Sequence, residues 1–132
     1  DRYLSANIIH QGGKIEDRDE RLRYANWCYG YECGQCGLPK EDITIILTIK
    51  PEISQKLMTN RYKGDESKKD IHEADLNYLA NCYDRLKWTV HDIKMNKLAN
   101  WVNINCEDES GENVNTRENI HNKIIEIIKT IV

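Results

Sequence analysis

Ile43-Thr44-Ile45-Ile46-Leu47-Thr48-Ile49 is the stretch on which the fold turns. It is β-branched and apolar at almost every position. Such a run suits a strand buried on both faces, as in a parallel sheet covered by helices, whereas a surface strand alternates more cleanly. Pro39 lies before it and Pro51 just after it, and the chain has no other proline. Pro51 fits the first turn of a helix, where a missing N–H costs nothing. Ile53 and Leu57 follow at helical spacing, and this helix is expected to end near Asn60.

Outward from there, strands and helices alternate. Leu76, Leu79, Tyr83, Leu86, Val90 and Ile93 step by three and four and predict one long helix with a single apolar stripe. Trp101-Val102-Asn103-Ile104-Asn105 reads as a second strand, followed by a polar loop from Cys106 to Asn115. Thr116 is a fitting N-cap for a last helix whose buried face is expected to be Ile120, Ile124, Ile127, Ile128 and Ile131. Upstream, residues 5 to 12 predict a helix broken at Gly12-Gly13, and a second runs from Glu16 to about Cys33, ended by Gly34 and Gly37. Residues 62 to 70 are polar and read as a surface loop. The fold class is α/β with a parallel sheet. Only two strands are legible, and two parallel strands make no stable sheet. The missing strands are expected upstream of Asp1, in another chain, or in a misread segment.

Composition narrows the function classes. The chain has 132 residues, enough for one core. Its 19 basic and 22 acidic residues leave a charge of −3, which gives no reason to expect nucleic acid or an anionic membrane as partner. Hydrophobic residues at 39% and charged residues at 31% describe a folded, soluble chain. No apolar run approaches the ~20 residues of a membrane span. The first residues have neither the basic start nor the apolar stretch of a secretory signal. Five cysteines are an odd number, and without secretory context they read as reduced thiols in a cytoplasmic protein.

Several groups of residues bear chemistry. Asp1-Arg2-Tyr3 offers a carboxylate to hold a metal-bound water and a guanidinium to fork onto a phosphate, although such a pair is more often a surface ion pair. Asn7, His10 and Gln11 bring amides with both donor and acceptor, which suit the edge of a pyrimidine, and a ring able to stack; the plainer reading is a solvated helix end. Arg61, Lys63, Lys68 and Lys69 put cations on a loop able to close over phosphates, but the interleaved Asp65, Glu66 and Asp70 favour a solvated face. Cys33-Gly34-Gln35-Cys36 has zinc-like spacing without the second ligand pair that a structural site needs, so no metal is expected there. Asp70, Glu73 and Asp75, with His72, suit the N-terminus of the long helix better than catalysis. Trp27, Trp88 and Trp101 read as core or interface residues. No Ser-His-Asp or Cys-His arrangement is present.

Together these pieces resemble the C-terminal two-thirds of a thymidylate kinase. Asp1-Arg2-Tyr3 followed by Asn7-Ile8-Ile9-His10-Gln11 is similar to the family's DRY segment and its later Gln. Gly37-Leu38-Pro39-Lys40-Glu41-Asp42, the apolar strand, Pro51-Glu52 and Arg61 follow the family's GLPKPDLVIYLDV-PE…R run. Lys68-Lys69-Asp70-Ile71-His72-Glu73, then Asp75 and Tyr78-Leu79, looks like the version in clostridia and other low-GC bacteria. The resemblance spans essentially residues 1–132, and residues 37 to 52 are its most specific part.

The resemblance implies a single domain with a P-loop nucleoside monophosphate kinase-like three-layer fold, here lacking the N-terminal strands and P-loop. It implies ATP- and Mg²⁺-dependent phosphorylation of dTMP to dTDP by a homodimer. Arg2 would bind the substrate phosphate, and Asp1 would place that phosphate or a Mg²⁺-bound water. Asn7, His10 and Gln11 would meet the thymidine. Arg61, Lys63, Lys68 and Lys69 would belong to a lid at about 61 to 73, with Arg61 catalytic, and the loop from Cys106 to Asn113 would lie near the adenine. Ala6 stands where the family often has Ser, and Lys69-Asp70 where many bacterial members carry an Arg. No Gly-x-x-x-x-Gly-Lys-Ser/Thr occurs in the chain, and that motif cradles the donor's phosphates. The chain alone is therefore expected to be inactive, as a kinase fragment. The alternative is a non-catalytic kinase-like module that binds a nucleotide or a protein.

Overall fold

The computed structural model describes residues 2–63, 65, 67 and 75–132. Helix α1 (Leu4–His10) leads through a 3₁₀ turn at Gly12–Lys14 to α2 (Arg18–Tyr29), which continues as a π-helical turn over Gly30–Gln35. Strand β1 (Thr44–Thr48), α3 (Pro51–Arg61), α4 (Leu76–Met95), β2 (Trp101–Asn105) and α5 (Arg117–Lys129) complete the order. Local chemistry sets most of the boundaries. Asp17 accepts from the Glu20 amide at 2.8 Å to start α2, Pro51 occupies the first turn of α3, and Asp75 accepts from the Tyr78 amide at 3.0 Å ahead of α4. Thr116 accepts from the Asn119 amide at 3.2 Å to cap α5, as its sequence predicts.

β1 and β2 pair in a two-stranded sheet. The register is parallel: the Thr44 amide donates to the Asn100 carbonyl and the Cys106 amide to the Thr48 carbonyl. Residue numbers rise together along both strands, and the crossover between them holds α3 and α4. The α/β expectation holds at this level.

The chain divides into two compact units, Asp1–Ile46 with Asp84–Val102 and Leu47–Tyr83 with Asn103–Val132. The first contains the main buried cluster, while Ile53, Ile104 and Cys106 are buried in the second. Leu4 and Ile8 of α1, Ala25, Cys28 and Tyr29 of α2, Ile46, Val90, Ile93, Ala99 and Trp101 form one cluster. Trp101 is 0% exposed. Its indole N–H donates to the Tyr29 hydroxyl at 2.8 Å and to Glu41 Oε1 at 3.2 Å. The same Oε1 accepts from the Tyr29 hydroxyl and from Thr44 Oγ1. Arg21, also buried, donates from one nitrogen to the carbonyls of Ile15 and Glu16, both at 2.8 Å, while its buried Nε has no partner among the described residues. Burial lowers its pKa first, with neighbouring Arg85 acting in the same direction. On the surface, Arg18 forks onto Asp92 at 2.6 and 2.7 Å and lies over the Trp88 ring at 4.6 Å.

Two expectations, of burial around β1 and along α5, are corrected. The 43–49 run is not buried on both faces: Ile46 and Thr48 are buried, but Leu47 is 52% exposed. Among the described residues the sheet has two strands, which leave that side of β1 partly open. The isoleucine stripe of α5 is not buried either: no residue of that helix is, and Ile128 and Ile131 are 36% and 44% exposed. Ile120, Ile124 and Ile127 are only half-buried. Periodicity places residues on one face without fixing what covers that face. In the α3 and α4 stripes, Ile53, Val90 and Ile93 are buried whereas Leu57 and Leu76 are exposed. Of the tryptophans, Trp101 alone enters the core, while Trp27 and Trp88 are exposed. The expected cap residues Asp70, His72 and Glu73 lie outside the described residues, and Asp75 fills that role.

Two outcomes test this packing. Trp101→Ala is expected to lose about 3–5 kcal/mol in urea unfolding, from a cavity and a broken buried network. Trp101→Phe keeps most of the ring and loses about 1–2 kcal/mol for the indole donor. The hydrogen bond from Arg18, with the Arg18 charge beside it, holds the Asp92 carboxyl below its usual 3.8, against the opposing pull of burial. A depressed native pKa stabilises above the unfolded value and is lost as pH falls through the native one. Stability is therefore expected to fall as pH drops below about 4, with Asp92→Asn showing a shallower slope in acid melts.

Candidate functional site

The spacing of α1 sorts its side chains. Leu4 and Ile8, four apart, take the buried face, while Asn7, His10 and Gln11 step by three and four along another. Tyr3 precedes the helix, and its hydroxyl donates to the Pro39 carbonyl, which fixes the chain's entry against the segment that leads to β1. Burial first, then the charges of Cys33, Glu41 and Glu32, raise the Tyr3 pKa, so the phenol stays a donor.

These residues open onto a cavity of about 400 Å³ in the first unit. Arg2, Asn7, His10 and Gln11 line it from α1 and the residues flanking it, with Tyr3, Leu4 and Ala6 between them. Glu32, in the π turn after α2, and Leu38, just beyond it, complete the lining. The volume falls within the ~300–1,000 Å³ usual for small-molecule sites. One guanidinium, one carboxylate, two amides and an imidazole converge on apolar walls, which suits a ligand with an anionic end and a hydrogen-bonding ring.

This part of the lining depends on how α2 ends. The Cys36 amide donates to the Tyr31 carbonyl at 2.9 Å, a bond five residues long that marks the π turn. The Leu38 amide donates back to the Glu32 carbonyl at 2.9 Å, so the two wall residues are held by one backbone bond. Gly37, at φ +71°, makes the reversal possible. Sequence reasoning named neither Glu32 nor Leu38 as a site residue. The available signal was the pair Gly34 and Gly37 around a cysteine pair, which marks an irregular helix end without revealing its aim.

The remaining named residues stand as follows. Asp1, Lys68 and Lys69 lie outside the described residues, as does much of the 61–73 lid segment. Arg61 and Lys63 belong to the second unit. Arg61 ends α3 with its guanidinium 5.5 Å from the centre of the Tyr62 ring, and Lys63 adopts φ +54°.

That second unit has its own cavity of about 660 Å³ at the loop after β2, lined by Asn105, Asp108, Ser110, Asn119, Lys123 and their neighbours. Glu107 receives the Lys50 amide at 2.9 Å and lies 3.8 Å from its ammonium. Hydrogen bonds from Ser110 first, and from Asn113 and Gly111, hold the Asp108 carboxyl below its usual value. Among the described residues no three His, Cys, Asp or Glu side chains gather as a metal site. No helix among them is long and apolar enough to cross a membrane.

No protein-family model, curated protein or solved structure matches the chain. Gly37→Ala is expected to destabilise the protein by about 1 kcal/mol, since an L side chain resists a positive φ. Nothing lies within 4 Å of the added Cβ, so Gly37→Asn, which tolerates that conformation better, is expected to cost less in the same melt.

Proposed function

We propose that this chain is a thymidylate-kinase-like module whose first cavity receives a nucleoside 5′-monophosphate, dTMP in the first instance. The observation that carries the reading is that Arg2, Asn7, His10 and Gln11, the substrate residues named by the sequence, line one cavity of fitting size. In this reading Arg2 forks onto the 5′-phosphate. Asn7 and Gln11 offer donor and acceptor to the pyrimidine edge, and His10 stacks on or bonds to the ring. Tyr3 is held by Pro39 and shapes the phosphate end.

In the intact enzyme the donor is ATP with Mg²⁺, the fold is completed to that of a P-loop nucleoside monophosphate kinase, and Arg61 with the lysines of its loop neutralises phosphate charge. The 132 residues do not fit the donor's phosphates, because no glycine-rich loop ending in Lys-Ser/Thr occurs in them. The chain by itself thus binds the acceptor and does not turn over. The resemblance also carries a cytoplasmic setting and a homodimer.

A second reading, a protein-binding module, draws on Tyr24, Trp27 and Tyr31. They stack at 6.1 and 5.5 Å between centroids, with Trp27 60% exposed. The same patch suits the proposed homodimer, since exposed aromatic clusters favour interfaces.

Calorimetric titration with dTMP tests the first reading. Saturable binding is expected, with Arg2→Ala weakening it by at least about tenfold through loss of a charge-assisted contact. Absence of binding, or binding indifferent to Arg2, contradicts it. A coupled assay with ATP and dTMP is expected to show no sustained turnover by this chain.

A further inference from the structure

Cys33 and Cys36 lie three residues apart in the turn that ends α2, and both are free thiols. Their surroundings differ. Cys33 is half-buried and packs against the core cluster, whereas Cys36 is exposed and follows the last residue of the π turn. Cys28, one turn earlier, is buried, and burial raises its pKa, which makes it a poor nucleophile. The pair is thus the accessible dithiol of this unit. It also sits in a telling place: both cysteines fall inside the segment whose ends, Glu32 and Leu38, form the cavity wall and are tied by the Leu38 amide to the Glu32 carbonyl.

We propose that Cys33 and Cys36 form a reversible intramolecular disulfide that reshapes the Glu32–Leu38 wall and so regulates the cavity. The oxidant is a low-molecular-weight disulfide. The Cys36 thiolate attacks one of its sulfurs, forming a mixed disulfide and expelling one thiolate. The Cys33 thiolate then attacks the Cys36 sulfur, closing the Cys33–Cys36 bond and expelling the second. The protein loses two electrons and two protons, and the small disulfide becomes two thiols.

Geometry gives the direction of the effect. In an α-helix, side chains three residues apart hold their Cβ atoms about 5–6 Å from each other; the wider winding of the π turn around Cys33 and Cys36 sets them no closer, and a disulfide requires about 3.8 Å. Closure compresses the segment from within. Two backbone bonds span it, Cys36 N–H to Tyr31 C=O and Leu38 N–H to Glu32 C=O, and the strain of closure falls on both, the second being the one that holds the wall. Gly34, between the two cysteines, and Gly37, just after them, let the backbone follow, since glycine has the widest conformational range. Oxidation therefore loosens the wall and weakens whatever binds there. By linkage, a bound ligand resists oxidation by the same factor.

The redox chemistry is independent of the nucleotide reading, while its consequence for dTMP rests on that reading. The test equilibrates the full chain in oxidised or reduced glutathione and reads three things. Peptide mapping is expected to find the Cys33–Cys36 link, removed by a dithiol reductant and absent in Cys36→Ser. Amide hydrogen exchange is expected to quicken at Leu38 in the oxidised protein and to stay unchanged in oxidised Cys36→Ser. Affinity for dTMP is expected to fall at least about fivefold on oxidation in the parent and not in Cys36→Ser. Mixed disulfides only, links to other cysteines, or a Cys33–Cys36 link that leaves Leu38 exchange unchanged or slower overturn the proposal. Should dTMP bind neither form while the link forms and Leu38 exchange quickens, the nucleotide reading falls and the dithiol switch stands.

Discussion

The hydrogen-bond knot around Glu41 Oε1 is the constraint on which the first unit depends. One carboxylate oxygen accepts from the Tyr29 hydroxyl, from Thr44 Oγ1 and from the indole of Trp101. It thereby joins the end of α2, the start of β1 and the first residue of β2. Each of these groups is costly to bury without a partner; Oε1 takes all three donors, while the buried Oε2 has no hydrogen-bond partner among the described residues. Burial first, with the Glu41 bond adding to it, drives the Tyr29 pKa far above its ordinary value, so this residue remains a neutral donor throughout the physiological range. The knot also fixes geometry. An indole with no exposed surface and two directed bonds allows one placement of β2 against α2, where apolar contact alone would tolerate several.

The cavity inherits that placement. Glu41 is two residues past Pro39, whose carbonyl takes the Tyr3 hydroxyl, and three past Leu38, which walls the cavity. Lys40, between them, donates to the Leu98 carbonyl and lies over the Tyr29 ring. Residues 37 to 41 therefore form a strap fastened at successive positions, with the knot at one end and the π turn at the other. Arg85 adds a separate tie, donating to the Gly13 carbonyl at 2.7 Å just after α1. The polar residues of α1 are thus presented by a helix whose far face is in the core and whose two ends are held. That arrangement suits a site that must position a ligand rather than attack it.

What the sequence disclosed followed from the range of the rule applied. The break at Gly12-Gly13, Pro51 opening α3, Thr116 capping α5 and the β-branched run of β1 are local signals, and the structure agrees with each. Asn7, His10 and Gln11 were legible as a group by their nearness in sequence and their amide and imidazole chemistry; that they share a face of α1 came from the structure. Burial was less legible. Leu47 and the α5 isoleucines have the pattern of core residues, but a pattern says which side chains share a face and not what lies against it. Trp27 and Trp101 are the same amino acid with opposite fates, decided by Tyr29 and Glu41 in one case and by open surface in the other. The ion pair of Arg18 with Asp92 joins positions 74 apart in sequence, beyond any spacing rule. Glu32 and Leu38 were hidden because a π turn has no sequence periodicity of its own.

The cavity lined by α1 and the segment after α2 is the proposed ligand site, and amide chemical-shift mapping during titration with dTMP tests it most directly. The account predicts saturable shifts concentrated at residues 2–11 and 32–38, with the rest of the first unit little changed. Shifts that fail to saturate, or that centre on other residues, would contradict it.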